Sequence, residues 1–92
     1  MKYEILYTSK FKKSYKLCKR RGLDVSLLKE VIDTLATKGS LPPKYSPHIL
    51  SGKWSGVWEC HIQPDWLLLW KQNDSILELV LVATGTHSDL FR

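Results

Sequence analysis

Residues 66–70 read Trp-Leu-Leu-Leu-Trp. Successive strand residues point to opposite sides, so five large apolar side chains in a row do not suit a strand with one wet face. The run predicts a central strand covered on both sides. A chain of 92 residues is long enough for one core and too short for two. The rest of the sequence must therefore be arranged around that strand, as one domain over residues 1–92.

The flanking segments supply neighbours. Residues 57–62 alternate, with Trp58, Cys60 and Ile62 on one face and Val57, Glu59 and His61 on the other. Residues 72–75 read as a hairpin turn and 76–83 as the last strand. Residues 2–8 are rich in aromatic and β-favouring side chains and predict a first strand. Between them, Thr8 or Ser9 can cap a helix in which Phe11, Tyr15 and Cys18 recur at helical spacing, with Gly22 just past its end. Asp24 can cap a second helix whose Leu28, Val31, Ile32, Leu35 and Ala36 form one apolar stripe ending at Gly39. Residues 39–48 hold three prolines and no periodicity, so they predict a loop. The order β-α-α-β-β-β predicts an α+β fold: a mostly antiparallel four-stranded sheet with two N-terminal helices packed on one face.

Composition narrows the function. No apolar run approaches the roughly 20 residues that span a bilayer, and the N-terminus has no signal-peptide pattern, so a cytoplasmic protein without a membrane partner is expected. Cys18 and Cys60 form no CxxC pair and predict buried thiols. The net charge is +5, and seven of the fourteen basic residues lie between Lys10 and Arg21. Such a run is usually a solvated helix face. It also suits a polyanion or an acidic partner, and charge alone does not separate the two.

The histidines, His48, His61 and His87, all fall at margins of strands, where chain ends can converge, and Asp65 lies close by in sequence. His61 and Asp65 have a spacing that chelates metal on a helix, but Pro64 between them argues for a turn, and no HExxH or paired CxxC motif is present. Strand parity sets Cys60 opposite His61, which weakens a Cys–His nucleophile. RNA cleavage by transesterification uses what is present. The ribose 2′-OH needs a base, the departing 5′-oxygen needs an acid, and the phosphorane needs positive charge. Trp66 and Phe91 could stack on unpaired bases. Tyr45, in the proline loop, and Lys53 are further candidates for substrate contact.

The stretch PHILSGKWSGVWECHIQPDWLLLW, followed by TGTHSDLF, resembles the YafQ branch of the RelE-type bacterial toxins. There, H-x-L-x-G-x-W-x-G leads into a strand ending H-(I/V)-x-P-D-W, and the last strand leads into R-T-G-T-H-x-x-L-F. The match runs from Pro47 to Phe91. The resemblance implies a ribosome-dependent, metal-independent endoribonuclease that cuts mRNA in the A site of the 70S ribosome, with no cofactor. It also implies a DinJ-like antitoxin encoded alongside, through which alone operator DNA is reached. His48, His61 and Asp65 match the family's catalytic and base-side positions, His87 its general acid, and Trp66 and Phe91 its substrate-side positions. Asp65 assisted by His61 is the favoured base. One position departs: Ala83 stands where the family pattern has arginine, and losing that guanidinium should cost on the order of 10²–10³ in rate. Either Ala83 is an introduced change that lets a toxic protein accumulate, or this homolog has lost or moved its phosphate clamp. In either case a weakly catalytic module that acts mainly by binding antitoxin is the alternative reading.

Overall fold

The structure, a computed structural model, describes residues 2–91. The strands are β1 (Glu4–Tyr7), β2 (His48–Ile49), β3 (Trp58–Gln63), β4 (Trp66–Asn73) and β5 (Glu78–Gly85), and the helices are α1 (Ser9–Arg20), α2 (Val25–Lys38) and α3 (His87–Phe91). They form a five-stranded sheet in the order β1-β5-β4-β3-β2. β1 runs parallel to β5, and every other pair is antiparallel.

Local chemistry sets the helices where the sequence expects them. Thr8 Oγ1 accepts the Phe11 amide at 3.0 Å and caps α1, and Asp24 Oδ1 accepts the Ser26 amide at 3.0 Å and caps α2. Gly39 ends α2 in the left-handed conformation, which costs a glycine nothing sterically.

Residues 66–70 are buried throughout and build two cores at once. Trp66, Leu68 and Trp70 face the helices and pack with Phe11, Leu28 and Leu35. Leu67 and Leu69 face the other way, against Val57, Ala83 and Leu90, beneath Leu50 and Trp54. Each fully buried leucine contributes about 1.5–3 kcal/mol by removal from water. The second cover is supplied by the loop before β3 and by α3, so both faces are dry over residues 66–70.

Three features differ from the sequence expectation. The sheet has five strands rather than four, because His48 and Ile49 pair with Glu59 and Trp58. Two residues are too few to show an alternation. The hairpin turn falls at 74–77 instead of 72–75, and the last strand starts at Glu78. Gln72 is tied to the sheet's helix side by its bond to the Gly39 carbonyl at 2.9 Å, while Asn73 Oδ1 accepts the Ser75 and Ile76 amides and turns the chain. The C-terminus forms α3, whose N-terminus is capped by Thr86 Oγ1 accepting the Asp89 amide at 3.1 Å.

One irregularity in β5 bears directly on the site. Leu81 pairs with Trp70 and Ala83 with Leu69, which leaves Val82 as an extra residue. Strict alternation would put Ala83 on the helix side with Leu79 and Leu81. The bulge turns it to the opposite face.

Candidate active site

The face of the sheet away from α1 and α2 carries the histidines. Directly paired residues share a face, so His48, Glu59, Leu69 and Ala83 form one rung across four strands. His61, Leu67 and Gly85 form the next. β3 and β4 are joined by the two-residue turn Pro64–Asp65, which brings Asp65 to the end of β5, where α3 begins.

His87 and Asp65 meet there. Asp65 Oδ1 accepts the His87 amide at 3.0 Å and lies 2.7 Å from His87 Nδ1. Both donors hold the Asp65 carboxyl below its ordinary value, the backbone one foremost. With Nδ1–H engaged, Nε2 of His87 points outward and is free to handle a proton. The ring of His61 lies 5.7 Å from that of His87, centroid to centroid.

Glu59 is the second focus. It is buried, with its carboxylate 3.1 Å from His48 Nε2 and 3.6 Å from His61 Nε2. His48 Nδ1 sits 2.9 Å from the Ser46 carbonyl. Both ring nitrogens of His48 thus face oxygens. His61 Nδ1 lies 3.3 Å from the Pro64 carbonyl, which aims Nε2 at Glu59. The pairing differs from the favoured sequence reading: Asp65 is bound to His87, and His61 is backed by Glu59.

The remaining candidates divide. Phe91 is exposed beside the histidines, 6.4 Å from the His87 ring and edge-on to Trp54 at 5.4 Å. Lys53 is exposed in the helical turn Gly52–Trp54. Trp66, read as a substrate contact, is 2% exposed on the helix side and donates Nε1–H to Thr84 Oγ1 at 2.9 Å. Its side chain belongs to the core. Tyr45, likewise read as a contact, packs against the helix-side core. Ala83 faces the site but is fully buried in the apolar layer, so the small side chain has a packing role there. Cys60 lies on the opposite face, its thiol pushed up to about 12 by burial, which leaves no thiolate at neutral pH.

Three residues at the site escaped the sequence reading. Glu59 was signalled by parity, since it shares a strand face with His61, but its burial was not. Trp54 and Lys10, whose ammonium sits 5.3 Å from the Trp54 ring centroid, come together from segments far apart in sequence. Among the described residues, no group of three or more His, Cys, Asp and Glu side chains is arranged to hold a metal ion.

Comparison with known proteins gives the family and the fold. The family model described as the bacterial toxin of type II toxin-antitoxin system, YafQ, matches residues 3–92. The mRNA interferase toxin YafQ of Escherichia coli K12 is 36% identical over 89 residues, covering 96% of this chain and 95% of the relative. The crystal structure of YafQ from E. coli BL21(DE3) superposes with a TM-score of 0.91 at 34% identity, over 98% of this chain and 99% of that one. The toxin of the E. coli DinJ-YafQ toxin-antitoxin complex does so with a TM-score of 0.89 at 34% identity, over the whole of both chains. The two-helix, mixed-sheet architecture and the sequence from Tyr3 onward place the chain in one family: it belongs to the YafQ toxins of type II toxin–antitoxin systems.

Proposed function

We propose that this chain is an mRNA endoribonuclease that acts in the A site of the ribosome and is held inactive by a DinJ-like antitoxin. The observation that carries the reading is the pair His61 and His87, 5.7 Å apart ring to ring, with a carboxylate beside each: Glu59, shared with His48, and Asp65. A scissile phosphate set against the edges of the two rings would have a base on one side and an acid on the other.

In this mechanism the His48–Glu59–His61 cluster takes the proton from the ribose 2′-OH, with His61 on the side that faces His87. The 2′-oxygen attacks the adjacent phosphorus and the P–O5′ bond breaks. His87 Nε2, in its protonated form, delivers the proton to the departing 5′-oxygen, while Asp65 steadies the imidazolium through Nδ1–H. The products are a 2′,3′-cyclic phosphate and a 5′-hydroxyl. Phe91 and Trp54 offer aromatic faces to an unstacked base. The lysines of α1 suit rRNA, or acidic antitoxin segments in the inhibited state. The DinJ-YafQ complex of a 34% identical relative supports an antitoxin partner, and operator DNA would be read by that partner. A cytoplasmic location follows from action on ribosomes.

Ala83 favours a second reading, in which the chain turns over slowly and acts mainly by binding antitoxin. Ribosomes stalled on a defined mRNA decide between them. Cleavage in the A-site codon with 5′-hydroxyl ends is expected. Products with 5′-phosphates would exclude the 2′-OH route. No cleavage, together with tight antitoxin binding, would favour the binding module.

A further inference from the structure

We propose that Arg21 is a positioning residue for His87, acting across the molecule through Asp89. The role of His87 rests on the mechanism above, whereas its placement rests on geometry alone.

His87 touches Asp65 through both its backbone amide and its ring, and both bonds end on one oxygen, Oδ1. Both therefore depend on where α3 lies. α3 has only five residues, far below the length at which a helix holds itself in water. On its inner side, Leu90 anchors it in the apolar layer over β4. One buried side chain fixes its depth but leaves it free to roll about that contact.

The outer anchor is ionic. Arg21, the residue that closes α1, reaches Asp89 with both guanidinium nitrogens: Nη1 is 2.7 Å from Oδ2 and Nη2 is 3.3 Å from Oδ1. Oδ2 also accepts the Thr86 amide at 3.0 Å, and the Asp89 amide returns a bond to Thr86 Oγ1 at 3.1 Å. The carboxylate thus ties the residue before His87 to the end of α1, Arg21 and Asp89 lying 68 positions apart in the chain. Gly85 leaves the space for it, since a Cβ there would come within 2.8 Å of Asp89 Oδ2. Two-pronged geometry fixes an angle as well as a distance, which a lysine would not. The pair is half open to water, with side-chain exposures of 44% and 24%, so its weight in global stability is small. Its effect is on orientation.

The test uses the full chain with Arg21→Ala and, in case that variant folds poorly, Arg21→Lys, which keeps the charge and loses the fork. Carbon-detected NMR follows the titration of the Asp65 carboxyl, and hydrogen exchange follows the His87 amide. Under the proposal, Arg21→Ala moves the Asp65 titration up toward the ordinary carboxylate value and speeds His87 exchange by about tenfold or more, with β3–β5 amides unchanged. Arg21→Lys shifts both in the same direction by less. On ribosomes, kcat falls while KM stays near the parent's. An unshifted Asp65 titration and unchanged His87 exchange in both variants would overturn the proposal. A parent chain that does not cut RNA would sink the cleavage mechanism, and the titration would still decide the role of Arg21.

Discussion

Asp65 and His87 are joined twice through a single oxygen: Oδ1 accepts the His87 amide and also faces its Nδ1. The hairpin tip and the start of α3 are thereby fixed to each other, and the imidazole is fixed in tautomer and angle. His87→Gln, which cannot deliver a proton, is expected to lower the cleavage rate by about 10²–10⁴. Asp65→Asn should cost less, because an amide oxygen still accepts from Nδ1–H. Single-turnover cleavage across a pH series measures both.

Glu59 holds His48 and His61 from below and is nearly shielded from solvent. Glu59→Gln removes the carboxylate charge from between the two imidazoles. Cleavage is expected to fall by roughly 10² with the fold intact. A variant within threefold of the parent would remove Glu59 from the mechanism.

Ala83 sits two strands from Glu59 on the same rung, roughly 10 Å away at normal strand spacing. Ala83→Arg would return a cation to the site face and is expected to raise cleavage by about 10²–10³. Because Ala83 is fully buried, the longer side chain must push past Trp54 or Leu90, at a cost of about 1–3 kcal/mol in unfolding free energy. A loss of stability without a gain in rate would mean that the rest of the site is not built around an arginine.

Trp66 lies on the side away from the histidines, and its one polar bond goes to Thr84, whose hydroxyl donates to the Leu67 carbonyl. Trp66→Phe should therefore lower stability by about 1–3 kcal/mol, through the lost bond and volume, and leave cleavage within a few fold. Denaturant titration alongside the ribosome assay separates the two effects. A large drop in rate at unchanged stability would bring Trp66 back to the substrate.

Asp89 gives α3 an acid limit. Its carboxyl is held down at about 2, first by Arg21 and then by the Thr86 amide, against an ordinary value of 3.8. A depressed folded-state value means that the contribution is complete above the unfolded value and disappears as pH falls through the folded one. Exchange protection of the Leu90 amide, which donates to Thr86, should accordingly fade between about pH 4 and pH 2. Protection that survives to pH 2 would contradict this.

Much of this fold is legible in local chemistry. The caps Thr8 and Asp24, the stripe from Leu28 to Ala36 and the apolar run at 66–70 each state their structure within a few residues. The convergence of His61, Asp65 and His87 also follows once their strands are placed side by side. What stayed hidden is what arises between strands. Parity alone does not tell which charged residue is buried, and Glu59 is buried because His48 arrives from a two-residue strand with no pattern of its own. Trp66 borders the Asp65 turn in sequence, yet it shares parity with Leu68 and Trp70 and follows them into the core. The helical tail depends on Asp89 finding Arg21, a partner no local window contains.

The extra residue at Val82 has a further consequence. It lets one strand carry two independent records, with Leu79 and Leu81 written for the core and Ala83 for the reacting surface. What stands at position 83 meets the histidine side and not the helix-side packing, so under the proposed mechanism it is a dial set apart from the frame. Were β5 to pair regularly through Val82, without the bulge, the two faces of everything downstream would be exchanged: Val82 and Thr84 would stand on the histidine side and Ala83 would turn to the helices.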